Sequence, residues 1–286
     1  MTPESSSAPR PPPIVRLDVV DSTQTAAWQL AERGAADRTV VVADHQLAGR
    51  GRRGRSWHDE PGGSLLFSIV VRPRLPVERV PMLSLAAGVA VAEALAEHVG
   101  LATRLKWPND VLVRGRKIAG ILLESRLGTT TRAQTADTAA PSIFGRPPAD
   151  EAGPAAPGTT TLAAPATVVI GIGLNLDQGA FPDALEGRAT SVALEAGRSV
   201  DRDATLRALL AAFDRWRECL EREGFGPVRT RWVALSETIG RTVSAGGTTG
   251  VAVDLDFDGA LIVVDGARCH RIASGEVVEG GHAPRR

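Results

Sequence analysis

The chain is short of several things, and each shortage closes off a class of explanation. Its 286 residues hold only two cysteines, Cys219 and Cys269, with no CxxC pair and no His/Cys run at metal-ligand spacing. That argues against a disulfide scaffold or a structural zinc site, and the two thiols are expected to be buried and reduced, in a cytoplasmic protein. Net charge is missing as well, because 33 basic side chains balance 33 acidic ones. A neutral chain offers no footing for a nucleic-acid coat or an anionic membrane surface. Apolar stretches are strand-length or interrupted, so no bilayer span is expected. The start, "MTPESSSAPRPPP", has no basic segment followed by an apolar one, and no secretory signal is read there. Lysine is almost absent: of the 33 basic residues, all but Lys106 and Lys117 are arginine. Two positions that stay lysine in such a chain invite a reason.

What is present divides the chain into parts. Residues 1–13 are Pro/Ser-rich and read as a disordered tail. "IVRLDVV" (14–20), "TVVVAD" (39–44) and "SLLFSIVVRP" (64–73) read as strands. "DSTQTAAWQLAERG" (21–34) starts like a helix that Asp21 or Ser22 can cap and Gly34 can end. A long apolar helix over 81–100 ends at glycine, and strands follow at about 101–106, 111–114 and 117–126, the last two joined by a tight Arg-Gly turn. Residues 127–166 are Thr/Ala/Pro/Gly-rich with few large apolar side chains, the composition of a disordered insertion. Order is expected to resume with a strand, "TVVIGIGLNL" (167–176), and an amphipathic helix near 201–222. From about 237 short strands and Gly/Asp turns read as a small, separate β-barrel or sandwich.

Four stretches carry chemistry. "AGRGRRGRSWHDEPGG" (48–63) sets Arg50, Arg52, Arg53 and Arg55 among glycines beside Trp57. It reads either as nucleic-acid bait or as a loop, mobile when empty, that folds over an anion. "RLKWPNDVLVRGRKIAGILLES" (104–125) brings cation, aromatic, amide and carboxylate together at a strand end, with Pro108 fixing one backbone angle. "WPND" alone would be a turn with a packed Trp. Lys106 and Lys117 on either side tip it to function, because a compact ammonium fits beside a carboxylate or phosphate oxygen where a planar guanidinium does not. "DSTQ" (21–24) is by default a helix cap. Ser22, Thr23 and Gln24, with Gln46 at the end of the next strand, also offer neutral donors and acceptors suited to an uncharged polar ligand head. "GIGLNL" (171–176) is half of a dinucleotide fingerprint, but it closes a strand and opens no Gly-rich helix start, which leaves Asn175 as its residue of interest. His45, His58, His98, His270 and His282 show no triad or metal context.

"GRGRRGRSW", "KWPNDV", "KIAGIL" and "GIGLNL", in this order, resemble the biotin protein ligases, over about residues 14–280. The resemblance implies an α+β fold. A class II aminoacyl-tRNA synthetase-like catalytic domain would span 14–236, with the insertion inside it, and a small SH3-like β-barrel would span 237–283. Some bacterial members add an N-terminal winged helix; with the first core strand expected near residue 14, none is expected here.

The implied reaction uses ATP and Mg²⁺ to activate biotin as biotinyl-5′-AMP, then transfers biotin to a lysine of a biotin carboxyl carrier domain of acyl-CoA carboxylases. No nucleic-acid or membrane partner is expected, and the protein is expected to be a monomer or homodimer. By this resemblance Ser22, Thr23, Gln24, Gln46 and the Arg50–Gly51–Arg52 backbone bind biotin, although Gln24 stands where Asn is common. Lys117 meets both the biotin carboxylate and the α-phosphate, with Arg52 and Lys106 as its catalytic companions. Arg52, Arg55, Trp57, Lys106, Asn109, Asp110 and Asn175 serve ATP or the adenylate, and Asp110 is the metal candidate. A lipoate or octanoate ligase on a related fold is the enzymatic rival. It would need a deep apolar slot in place of the polar cluster at 22–24 and Gln46.

Overall fold

A computed structural model describes residues 11–128, 164–275 and 277–279. Most of the tail (1–10) and of the insertion (129–163), His282 and the far end of the C-terminal part lie outside the described residues, while 127–128 and 164–166, expected within the insertion, belong to strands. Seven strands form the main sheet: β1 (Ile14–Val20), β2 (Val40–Gln46), β3 (Ser64–Val71), β4 (Thr103–Lys106), β5 (Asp110–Val113), β6 (Arg116–Gly128) and β7 (Ala164–Asn175), in the order β1-β2-β3-β7-β6-β5-β4. Only the β1–β2 pair is parallel, since helix α1 (Thr23–Glu32) carries the chain across between them. The other neighbours are antiparallel, and the β5–β6 hairpin turns on Arg114 and Gly115, both at positive φ as a two-residue turn requires. β6 and β7 pair from Ala119↔Leu174 out to Gly128↔Ala164, so the insertion leaves and re-enters at adjacent strand ends.

Alternation along the strands sorts side chains onto two faces. Val41, Val70 and Val169 pack under α1 with Ala27, Trp28 and Ala31. Val40, Val42, Ile69, Val71, Val168 and Ile170 point the other way, into the large core. That core is closed by α2 (Met82–Val99), α4 (Arg202–Glu223) and α5 (Phe225–Leu235), the last missed by the sequence reading along with the short α3 (Val192–Ala196). The segment Val77–Val99, which contains α2, is by length and composition apolar enough to cross a membrane, but it is largely buried against the sheet and α4. Each large apolar side chain so buried contributes roughly 1.5–3 kcal/mol relative to exposure. α2 ends at Gly100 in the left-handed region, and the Asp201 carboxylate caps α4 by accepting from the Ala204 N–H at 2.6 Å.

The C-terminal strands β8 (Thr242–Ala245), β9 (Thr248–Leu255), β10 (Leu261–Asp265), β11 (Arg268–Ile272) and β12 (Val278–Glu279) form an antiparallel sheet in the order β11-β10-β9-β8-β12. Expected as a separate body, this sheet shares the large core through Val243, Ala252, Leu261 and Val263. The junction is Trp107. Its backbone N–H donates to Thr238 Oγ1 at 2.9 Å and its indole Nε1 to the Gly259 carbonyl at 3.1 Å, which ties the "KWPND" turn to the C-terminal part. The thiols also depart from expectation: Cys219 is half-buried, while Cys269 is exposed on β11, where alternation turns it outward.

Candidate active site

The site lies on the α1 face of the sheet, past the first turn of that helix, where the strands stop carrying side chains. Gly171 and Gly173 on β7 and Gly120 on β6 leave a bare floor. A Cβ on Gly171 would come within 2.5 Å of Gln24 Oε1, and one on Gly173 within 2.5 Å of the Trp57 ring. "GIGLN" is therefore a strand that ligand-facing groups lie across, which is why it has no helix start behind it.

At one end of the floor the polar groups are neutral and buried. Ser22 is the residue before α1, yet its hydroxyl makes no capping bond, so the default reading of "DSTQ" as a cap does not hold. The Thr23 N–H and Oγ1 both reach Gln46 Oε1, at 2.8 and 3.1 Å, and Thr23 Oγ1 lies 2.9 Å from Ser68 Oγ. Ser68 donates to Gln24 Oε1 at 3.1 Å, and Gln24 Nε2 donates to the Val169 carbonyl at 3.0 Å. Ser68 was missed from the sequence; its signal is one hydroxyl inside the otherwise apolar "LLFSIVV". The exit of β2 is braced by Asp59, whose buried carboxylate takes His45 Nδ1 at 2.8 Å and the Gln46 N–H at 3.3 Å.

At the other end the groups are charged. Lys117 Nζ lies 2.6 Å from Asp110 Oδ1, both about one-third exposed or less, and 5.5 Å from the Trp57 ring centroid, a cation–π contact. Asn109 spends its Nδ2 on the Ile121 carbonyl at 2.8 Å, and its Oδ1 accepts from Arg52 Nη1 at 3.4 Å. Asn175 is buried, its Nδ2 donating to the Thr190 carbonyl at 2.9 Å. Both amides position neighbouring backbone. The indole Nε1 of Trp57 is buried without a hydrogen-bond partner.

The Gly/Arg loop has more order than its composition suggests. Gly51 N–H donates to the Arg55 carbonyl at 2.6 Å, Trp57 N–H to the Gly49 carbonyl at 2.8 Å, and Arg50 bridges Ser56, so 49–57 is a short hairpin. Its tip uses Arg53 and Gly54 at positive φ, and Gly49 is required because a Cβ there would press within 2.8 Å of the Trp57 carbonyl. Arg50 turns away to pair with Glu124 at 3.2 Å, a partner that the sequence reading did not pick out.

These two ends and the loop enclose one cavity of about 580 Å³, and every residue singled out from the sequence lines it, from Ser22, Thr23, Gln24 and Gln46 to Lys106, Asp110, Lys117 and Asn175. A larger groove of about 830 Å³ borders the outer face of the same loop and the C-terminal turn at Asp258–Ala260. Neither lysine, nor Asp110, nor the Thr23 cluster lines it, so the chemistry belongs to the first cavity. As to metal, among the described residues no three His, Cys, Asp or Glu side chains converge, and the Asp110 carboxylate is engaged by Lys117. A dedicated protein cage does not fit; a divalent ion carried by phosphate oxygens and water, with at most one carboxylate, does.

Comparison with known proteins agrees with this geometry. Residues 17–135 match the biotin/lipoate A/B protein ligase family. The chain is 36% identical over 270 residues to the biotin–[acetyl-CoA-carboxylase] ligase of Paracoccus denitrificans, covering 91% of this chain and 98% of that protein. It is 33% identical over 274 residues to the bifunctional ligase/repressor BirA of Bacillus subtilis, covering 93% of this chain and 74% of that one. Among solved structures, the biotin protein ligase of Aquifex aeolicus in complex with biotin and ATP superposes with a TM-score of 0.72 at 26% identity, over 94% of this chain and 98% of its own.

Proposed function

The chain belongs to the biotin protein ligases of the biotin/lipoate A/B protein ligase family, and from that premise we propose how its cavity divides the work. The enzyme activates biotin with ATP and transfers it to a carrier of a biotin-dependent carboxylase. In our reading residues 14–236 carry the chemistry, 237–283 form the SH3-like companion, and the protein works in the cytoplasm.

The neutral end, Ser22, Thr23, Gln24, Gln46 and Ser68, receives the uncharged ureido head of biotin. An end without fixed charge suits a neutral polar head, since each unmatched buried polar group would cost about 1–3 kcal/mol. The biotin carboxylate then lies toward Lys117. A carboxylate oxygen attacks the α-phosphorus of ATP, the bond to the bridging oxygen breaks, and pyrophosphate leaves. Two anions meet in this step, so fixed cations at Lys117, Arg52 and Lys106 stabilise the charge that accumulates. Asp110, 2.6 Å from Lys117 Nζ, keeps that ammonium aimed before substrate arrives. Trp57 offers its face to the adenine, and Arg55 lies near the phosphates. A Mg²⁺ ion bound with the nucleotide would offset phosphate charge, and Asp110, which lines the cavity along with Glu237, is the carboxylate beside Lys117 that would hold it. In the second step the carrier's lysine amine attacks the anhydride carbonyl and AMP departs. The loop at 49–57 shields that anhydride from water meanwhile.

What carries this reading is the junction, within one cavity, of a hydrogen-bonded neutral end with the Lys117–Asp110 pair. ATP–pyrophosphate exchange measured with biotin, lipoate and octanoate tests it. Exchange is expected with biotin alone, and faster exchange with lipoate or octanoate would reassign the neutral end to a different acyl group.

A further inference from the structure

Away from the reacting groups the molecule buries a carboxylate that the chemistry above does not use. Glu195 stands on α3 with its side chain 1% exposed. Its Oε1 accepts from Arg116 Nη2 at 2.6 Å and from Thr190 Oγ1 at 2.7 Å. Oε2 is buried without a hydrogen bond and faces Arg114 Nη1 at 3.7 Å. Removing an ion from water costs several kcal/mol unless its partners compensate, so a charge kept here, where an apolar side chain could pack, needs a purpose.

The two donors belong to the two segments that hold Lys117. Arg116 is its neighbour on β6. Thr190 ends the strip 188–190, which pairs with Lys117 like a short strand: Lys117 N–H donates to the Arg188 carbonyl at 2.8 Å, and Thr190 N–H donates to the Lys117 carbonyl at 2.9 Å. The Thr190 carbonyl is held in turn by Asn175 Nδ2. With both amide bonds and both flanks engaged, the backbone of Lys117 has one position.

We propose that Glu195 is a positioning residue: its buried carboxylate clamps Arg116 to Thr190 and so sets where Lys117 presents its ammonium. The inference rests on the reading of Lys117 as the cation at the reacting centre. Geometry of this kind acts on the rate, since a displacement of about 1 Å at a reacting group can cost about 100-fold.

The test pairs Glu195→Gln, which keeps shape and removes charge, with Asp37→Asn. Asp37 accepts from Arg217 Nη1 at 2.9 and 3.0 Å and from the Arg72 N–H at 2.8 Å, in an ionic clamp that is more exposed than that of Glu195 and lines no part of the cavity. Glu195→Gln is expected to lower kcat for biotin-dependent ATP–pyrophosphate exchange by about tenfold or more while leaving KM for ATP within about twofold. Asp37→Asn is expected to lose thermal stability without that change in kcat. Thr190→Val, which removes one donor and keeps the shape, is expected to show the same pattern more weakly, and it serves if Glu195→Gln does not fold. Amide hydrogen exchange at Lys117 and Thr190 is expected to quicken in Glu195→Gln and not in Asp37→Asn. Wild-type kcat in a folded Glu195→Gln protein, or equal kcat losses in both clamps, would overturn the proposal. If the wild-type enzyme exchanged nothing with biotin, the activity reading would fall instead, and the amide exchange rates would still decide whether Glu195 holds that backbone.

Discussion

The two ends of the cavity are built on opposite plans. The neutral end is made of short side chains from α1, β2 and β3 that satisfy one another, as Thr23, Ser68, Gln24 and Gln46 do, with the Val169 carbonyl as the last acceptor. Little is left to rearrange when a ligand arrives, which suits recognition. The charged end keeps Lys117 and Asp110 partly exposed and places arginines on a hairpin that borders solvent on its outer side. Its charges have partners that a more strongly charged ligand can replace, which suits chemistry. The difference teaches that in this cavity specificity and rate are carried by separate elements, so they should respond to separate mutations.

The largest effect should come from the charged end. Lys117→Arg is expected to lower the rate of adenylate formation by about 10²–10³ while leaving the fold intact, because a guanidinium fork cannot occupy the 2.6 Å contact with Asp110 and also meet a substrate oxygen. Single-turnover formation of biotinyl-AMP reports this, and near-normal turnover in the folded variant would remove Lys117 from the reaction.

A smaller and opposite signature should come from the neutral end. A Cβ at Gly171 would force Gln24 Oε1 out of its place and break its bonds to Ser68 and Val169. Gly171→Ala is therefore expected to raise KM for biotin by about tenfold, the equivalent of one lost buried hydrogen bond, and to leave KM for ATP alone. Equal changes in both KM values would mean that the two ends are not independent.

The smallest effect concerns the hairpin that joins them. Trypsin cleavage at Arg50, Arg52, Arg53 or Arg55 is expected to slow severalfold when biotin and ATP are bound together, since their phosphates would hold the arginines inward. Single-stranded RNA or DNA at physiological salt should give no such protection in a chain of zero net charge. Protection by nucleic acid and not by biotin with ATP would return the loop to the nucleic-acid reading.

Several properties were decided by the sequence alone. Periodicity and punctuation marked β1 to β7, α1, α2 and α4, because alternation of period two, runs of period 3.6 and glycine at helix ends act locally. The two lysines stood out against an all-arginine background, and the ordered motifs named many of the polar and charged residues that line the cavity. Tertiary structure decided the rest. Ser68, Glu124 and Glu195 look ordinary in sequence, and their partners lie as far as 96 positions away, as Trp28 does from Glu124. Only the packing of distant strands and helices brings such pairs within bonding distance. The same holds for Asn109 and Asn175, whose types suggested ligand contact and whose amides, while lining the cavity, also support backbone. It holds for Trp107, a packed aromatic in the sequence and the tie to the C-terminal sheet in the fold. A sequence states which groups are available; which of them remain for a ligand depends on what each has already bonded to, and those bonds form only when distant segments meet.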